Sequence, residues 1–180
     1  MIKKVVVIGP ESTGKSTLCE QLAAHYATVW VPEYAREYLL KHGAGYQYDD
    51  LLTIAKGQVA LEEKYLSSLE TNKKQPPLLL IDTDLYVMKV WCEYVFGQCH
   101  SWILDQIVQR DYDLYLLCDT DLPWVKDELR EYPDLESRRE LYHIYKDIML
   151  NQSVPWINIS GDYEQRFQKA VKAVNEMLKH

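Results

Sequence analysis

The octet Gly9-Pro10-Glu11-Ser12-Thr13-Gly14-Lys15-Ser16 sets two glycines, a lysine and a hydroxyl at the spacing G-x-x-x-x-G-K-[ST]. Each part has a chemical task. The glycines let the backbone curl so that successive N–H groups point inward at phosphate oxygens. A helix leaving the loop turns the positive end of its dipole toward the same anion. Lys15 is placed to reach the β- and γ-phosphates, and the Ser16 hydroxyl to ligate Mg²⁺. The loop therefore reads as a cradle for a nucleoside triphosphate with magnesium, ATP in the first instance. The competing reading is a tight strand-to-helix turn with an exposed lysine.

Further groups recur where such a phosphate would be worked on. "LLLIDTD" puts Asp82 directly after an apolar run and Asp84 two residues on. Asp82 there suits Mg²⁺, or a base for an acceptor hydroxyl; Asp84 fits either the site or a cap on the next helix. "PEYAREY" (Pro32–Tyr38) offers Glu33, Arg36 and Glu37 beyond a short strand, with Trp30 and Tyr34 as neighbouring aromatics. Glu33, Arg36, Trp30, Tyr34 and Asp84 are the expected acceptor-binding set, and an internally paired charged face is the alternative for the carboxylates and arginine. The stretch from Trp124 to Leu141 carries Arg130, Arg138 and Arg139 around Pro133. Arg130 and Arg138 are expected in a lid, about residues 124–141, that closes over a transferring phosphoryl group. "SGDYEQR" (Ser160–Arg166) turns at Gly161, so Gly161 and Tyr163 are expected to wall the adenine.

The elements that must hold these groups alternate in type. Lys4–Ile8 reads as a buried strand, and a helix from about Lys15 carries Leu18, Leu22 and Tyr26 on one stripe. Thr28–Val31 is a second strand, followed by a helix that opens near Pro32 and ends near Gly43. A loop precedes a long helix from about Asp50 to Glu70, and "TNKKQPP" breaks the chain before the strand Leu78–Ile81. Helices follow at Leu85–Phe96 and Trp102–Gln109, then strands at Leu114–Cys118 and Trp156–Ile159, then a helix over about Asp162–Lys179. Short apolar strands with little polar alternation, separated by helices, imply a parallel sheet covered on both faces. The expectation is one α/β domain over residues 1–180 with five parallel strands.

Composition narrows the partners. A net charge of −7 argues against a general nucleic-acid or anionic-membrane binder. The opening apolar run is too short for a signal peptide, and no stretch approaches the roughly 18 apolar residues of a membrane span. Cys19, Cys92, Cys99 and Cys118 form no C-x-x-C pair, so reduced thiols are expected. A cytoplasmic protein acting on a small molecule, with neither nucleic acid nor membrane as partner, is the reading. Oligomeric state stays open.

"GPESTGKSTL", "PEYARE", "IDTD", the Trp91-Cys92 pair, "GQCH", "WVKDELR" and Arg138 resemble, in this order, the ribosylnicotinamide kinase domain of the NadR type. The resemblance spans nearly the whole chain. It implies a P-loop kinase fold with strand order 2-3-1-4-5 and ATP-dependent phosphorylation of nicotinamide riboside to its mononucleotide. It also implies that Ser12–Thr17 bind phosphate, that Asp82 serves metal or acceptor chemistry, and that Arg130 and Arg138 belong to the lid. Bifunctional members add an adenylyltransferase domain with an HxGH loop; nothing similar stands here, so the kinase step alone is expected. Three rivals remain: a nucleoside monophosphate kinase, an ATPase, and a GTP-dependent switch. The first wants several arginines for the acceptor phosphate. The last wants N-K-x-D after a strand, and "NKKQ" (Asn72–Gln75) precedes a strand and lacks the aspartate.

Overall fold

The computed structural model describes residues 1–72, 76–126, 129 and 131–179. Arg130 and most of the "NKKQ" stretch lie outside these described residues, as do positions 127 and 128 of the lid. The described elements run β1 (Lys3–Ile8), α1 (Lys15–Tyr26), β2 (Val29–Val31), α2 (Tyr34–His42), α3 (Tyr48–Thr71) and β3 (Leu78–Asp82). They continue with α4 (Leu85–Phe96), α5 (Ser101–Gln109), β4 (Leu114–Cys118), α6 (Leu135–Asn151), β5 (Trp156–Ile159) and α7 (Tyr163–Met177). The five strands form one sheet in the order β2-β3-β1-β4-β5, every pairing parallel, as expected.

The boundaries shift by a residue or two, for local reasons. Thr28 falls just outside β2 because its hydroxyl donates to the Leu78 carbonyl at 2.5 Å, crossing to the next strand by side chain. α3 begins at Tyr48, before Asp50, because the Asp50 carboxylate accepts from the Gln47 N–H at 2.7 Å and closes the first turn. Asp162 caps α7 from outside, accepting from the Gln165 N–H at 2.9 Å.

Two apolar layers sandwich the sheet. Val5, Val7, Leu78, Leu80, Leu114 and Leu116 point toward α1 and α7, where they meet Leu18, Leu22, Ala170 and Val174. Val6, Ile8, Leu79, Ile81 and Leu117 point the other way, toward Val87 and Val90 of α4 and Leu141 and Tyr145 of α6. A third cluster joins α2, α3, α4 and α5 through Leu51, Ile54, Met88 and Ile103. Both faces of β1, β3 and β4 are therefore dry, which explains their unbroken apolar runs. Fully burying each such side chain is worth about 1.5–3 kcal/mol. Because the strands are parallel, all five carboxyl ends lie along one edge. The octet leaves β1 there, Asp82 ends β3, Glu33 follows β2 and Gly161 follows β5.

Among the described residues, no helix is long and apolar enough to cross a membrane. The four cysteines are free thiols; Cys19, Cys92 and Cys118 are buried and Cys99 is half-buried.

Candidate active site

The octet folds as a turn tied to itself and to distant chain. The Pro10 carbonyl accepts from the Thr13 hydroxyl at 2.7 Å and from the Lys15 ammonium at 2.8 Å. Gly9 adopts φ +141°, and a Cβ there would stand 2.7 Å from the Cys118 carbonyl oxygen of β4. Only glycine lets the loop leave β1 so close to its neighbour. Arg166 of α7, 3% exposed, braces the loop from behind. Its guanidinium donates to the carbonyls of Thr13 (2.9 Å), Asp119 (2.9 Å) and Gly161 (2.7 Å), and pairs with Asp121. The Tyr163 ring lies 3.5 Å from the point a Cβ on Gly14 would occupy. Gly161 donates its N–H to Asp121 at 2.5 Å.

Asp82 meets this loop at the strand edge. In the sheet register it sits beside Val7, two residues before Gly9. The Ser16 hydroxyl donates to Asp82 Oδ2 at 2.5 Å. Oδ1 is buried with no hydrogen-bond partner among the described residues. Burial pushes the carboxyl up to about 7, and the Glu33 charge pushes the same way; Lys15 and the Ser16 bond pull against them. A buried acid with one oxygen unpaired, touching the loop serine, has the character of a site that expects a cation or a proton.

A cavity of about 270 Å³ opens from this edge. The loop residues Gly9–Thr17 line it. Glu33, Arg36 and Leu39 of the α2 region line a side. Aromatic rings complete the lining: Tyr46, Trp91, Tyr94, Tyr132 and Tyr145. Trp91 donates its indole N–H to the Tyr46 hydroxyl at 2.9 Å, and that hydroxyl donates to Glu131 Oε2 at 2.9 Å. The Tyr46 and Trp91 rings meet edge to face at 4.9 Å, and Tyr94 and Tyr132 at 5.6 Å. Glu131, which also lines the cavity, comes from the segment preceding α6.

Arg138 of α6 is 4% exposed and shares a helical face with the cavity-lining Leu141 and Tyr145. Its Nε and one terminal nitrogen are buried with no hydrogen-bond partner among the described residues. A buried guanidinium with vacant donors calls for an anion, since each unmet donor costs desolvation.

The structure thus brings together Lys15, Ser16, Asp82 and Glu33, and places Arg36 along the same cavity. Three expected acceptor contacts fall elsewhere. Trp30 packs on the opposite sheet face, against the α1 and α7 layer, because alternation along β2 turns it away from Val29 and Val31. Tyr34 lays its ring over Gly57 of α3, where a Cβ would be only 2.0 Å away, and its N–H donates to Gln58 at 2.7 Å. Asp84 takes the capping alternative. It is 3% exposed, accepts from the Tyr86 N–H at 2.9 Å and from the Tyr115 hydroxyl at 2.7 Å, and does not reach the cavity. The side chain of Glu11 also turns from the phosphate cradle: its two oxygens accept from the Glu131 and Tyr132 N–H groups at 2.9 and 2.6 Å.

Several residues carry the site that sequence reading passed over. Arg166 ends a turn motif in the sequence, and its spacing gives no sign of the carbonyls it braces. Tyr46 sat in the loop after α2, and Trp91 in an apolar helical pattern that matches a core face. Their one signal is hydrogen-bonding capacity on half-buried rings, a polar handle that buried aromatics satisfy.

Comparison with known proteins agrees with this architecture. Two curated relatives, the trifunctional NAD biosynthesis/regulator proteins NadR of Escherichia coli and Salmonella typhimurium, are 29% and 28% identical over 185 aligned residues. The alignments cover 98% of this chain and 43% of each relative, so the chain spans less than half their length. Among solved structures, NadR in complex with NR superposes with a TM-score of 0.80 at 23% identity, covering 97% of this chain and 51% of the other. NadR with NAD and AMP-PNP gives 0.76 at 24% identity, over 99% of this chain and 50% of the other. Deoxyadenosine kinase from M. mycoides with bound dATP gives 0.56 at 11% identity, over 96% and 99%. These likenesses establish the P-loop kinase fold. Residues 4–166, which run from β1 to the brace Arg166, match the profile described as an AAA domain, and the chain belongs to that family.

Proposed function

We propose that the chain is an ATP- and magnesium-dependent kinase that transfers the γ-phosphate to the 5′-hydroxyl of nicotinamide riboside, in NAD biosynthesis. One observation carries the reading: a single cavity joins the phosphate loop, whose Ser16 holds Asp82, to aromatic rings and carboxylates. A cationic nicotinamide ring gains from the faces of Trp91 and the tyrosines and from nearby acidic groups, and carboxylates accept from ribose hydroxyls. A phosphorylated acceptor would meet Glu33 and Glu131 instead, which disfavours the mononucleotide kinase reading. The names of the relatives point the same way, through NAD biosynthesis, bound NR and AMP-PNP, and a deoxynucleoside kinase.

The residues divide the work by position. Backbone N–H groups of residues 12–17 hold the phosphates, and Lys15 exchanges its Pro10 contact for the β/γ oxygens. Gly161 and Tyr163 flank the loop on the side assigned to the adenine. Glu33 and Arg36 bind the acceptor's sugar end. Arg138 supplies its vacant donors to the transferring group, and Arg130 is assigned to the same task from its sequence position. Ser16 and Asp82 fit magnesium: a hydroxyl and a buried acid with one unpaired oxygen stand at the phosphate end. Magnesium bound there would neutralise phosphate charge and favour the ionised Asp82. The alternative role for Asp82, with no magnesium on its oxygens, is that of a base: a carboxyl poised near 7 can accept the acceptor's proton. The reading extends to a cytoplasmic enzyme whose partners are small molecules, without nucleic acid or membrane.

The test is ADP release with ATP or GTP against a panel of nucleosides and mononucleotides. Turnover with ATP and nicotinamide riboside is expected, with the mononucleotide a poor acceptor. ATP consumption with a mononucleotide and with no nucleoside would place the enzyme in the other kinase class.

A further inference from the structure

Glu11 occupies a position of the octet whose side chain the phosphate cradle does not require, since the cradle is made of backbone N–H groups. In the fold, that side chain makes a two-pronged contact. One oxygen accepts from the N–H of Glu131 and the other from the N–H of Tyr132, at 2.9 and 2.6 Å. Next to it, the Ser12 hydroxyl accepts from the Val125 N–H at 2.9 Å. Hydrogen bonds to an ionised acceptor are about twice as strong as neutral ones. The loop end of this contact is rigid, because Pro10 is tied to Thr13 and Lys15 while Arg166 holds the Thr13 carbonyl. The far end carries two walls of the cavity: Glu131, which accepts from Tyr46, and Tyr132, which packs edge to face on Tyr94.

We propose that Glu11 is a positioning residue that hangs the acceptor wall, residues 131 and 132, on the phosphate loop. It acts through the two backbone N–H groups that its oxygens hold. It fixes the distance between the rings that hold the acceptor and the loop that holds the donor, and so selects acceptors of one length. This inference rests on the kinase reading above for its substrate and on geometry alone for the strut.

The experiment compares Glu11→Ala and Glu11→Gln with the wild-type chain. Amide hydrogen exchange of residues 131 and 132 is read by NMR, and KM and kcat are measured for nicotinamide riboside and for ATP. Glu11→Ala is expected to lower protection at these two amides at least about tenfold, the scale of losing a hydrogen bond to a charged acceptor. KM for the acceptor should rise about tenfold and KM for ATP less than threefold. Glu11→Gln, which keeps one carbonyl oxygen as acceptor, should fall between. Unchanged protection overturns the strut, and so does an equal rise in both KM values, which would mean the loop itself had failed. A wild-type chain with no turnover on nicotinamide riboside would defeat the kinase reading instead, leaving the exchange result to decide the strut.

Discussion

Residues 9–17, the part of the cavity lining proposed for phosphate, come from one uninterrupted stretch. The wall proposed for the acceptor takes Tyr46 from a loop, Trp91 and Tyr94 from α4, Tyr132 from the segment before α6 and Tyr145 from α6. The first works through backbone N–H groups and one lysine, and its shape is set by glycines and by carbonyls that other residues hold. The second presents side-chain faces, and its shape is set by how α4 and α6 pack with the two segments beside them. Phosphate chemistry tolerates little variation, so a short fixed loop serves it. Acceptor choice is a matter of wall geometry, which can change one ring at a time without disturbing the loop. The comparison predicts that damage at the loop should destroy turnover, whereas damage at the wall should retune it.

Lys15→Ala gives the sharpest break. Turnover should fall at least about a hundredfold, the scale of removing one well-placed electrostatic group, with the fold retained. Near-normal turnover in the purified variant would dismantle the loop assignment. Asp82→Asn should produce a loss of the same order while nucleotide binding persists. Partial rescue by excess magnesium identifies a metal role for Asp82, and no rescue identifies a base. Arg138→Ala should lower kcat roughly ten- to a hundredfold with a smaller change in acceptor KM, because its donors are met only as charge develops. A pure affinity loss would move Arg138 to the wall.

Trp91→Leu keeps apolar volume but removes the ring face and the donor to Tyr46. Acceptor KM should rise roughly three- to thirtyfold, in line with one partly desolvated cation–π contact. A collapse of kcat with unchanged KM would contradict the division between loop and wall.

The smallest effect is on stability. The Asp82 carboxyl is pushed up to about 7 by burial and by Glu33, against an ordinary value near 4 in the unfolded chain. Between those values the folded state holds the extra proton, so metal-free protein should lose stability as pH rises through this window. Asp82→Asn removes that penalty. In the absence of magnesium its Tm should exceed the wild-type value at pH 8, by roughly 2–4 °C for each kcal/mol relieved, with the gap closing toward pH 5. Melting curves at both values check the sign.

Legibility followed the same division. The five strands, the parallel sheet and the octet rest on local patterns: apolar runs of four to six residues, glycine spacing, a lysine and a hydroxyl; the strand order comes from the family resemblance. Asp82 was readable because it ends an apolar strand. The acceptor set was harder. Trp30 and Tyr34 stand next to Glu33 in sequence, but strand alternation and the close approach to Gly57 send them elsewhere. Tyr46 and Trp91 are 45 positions apart, and only the packing of α4 beside the loop makes them partners. Asp84 and Asp82 are two positions apart, yet one caps a helix and the other faces the loop.

Arg166 makes the whole arrangement a problem in timing. The octet is a local turn, but its Thr13 carbonyl depends on a guanidinium 153 positions later in the chain. Arg166 also secures the Asp119 carbonyl beyond β4 and pairs with Asp121 beyond it. Until α7 docks, a folding chain holds the octet's residues without the brace that sets its curve. Nucleotide affinity should therefore arise late, as a cooperative event of the completed sheet, and not as an early local acquisition. Ligand present during refolding would then speed the final docking little, while strongly slowing its reversal.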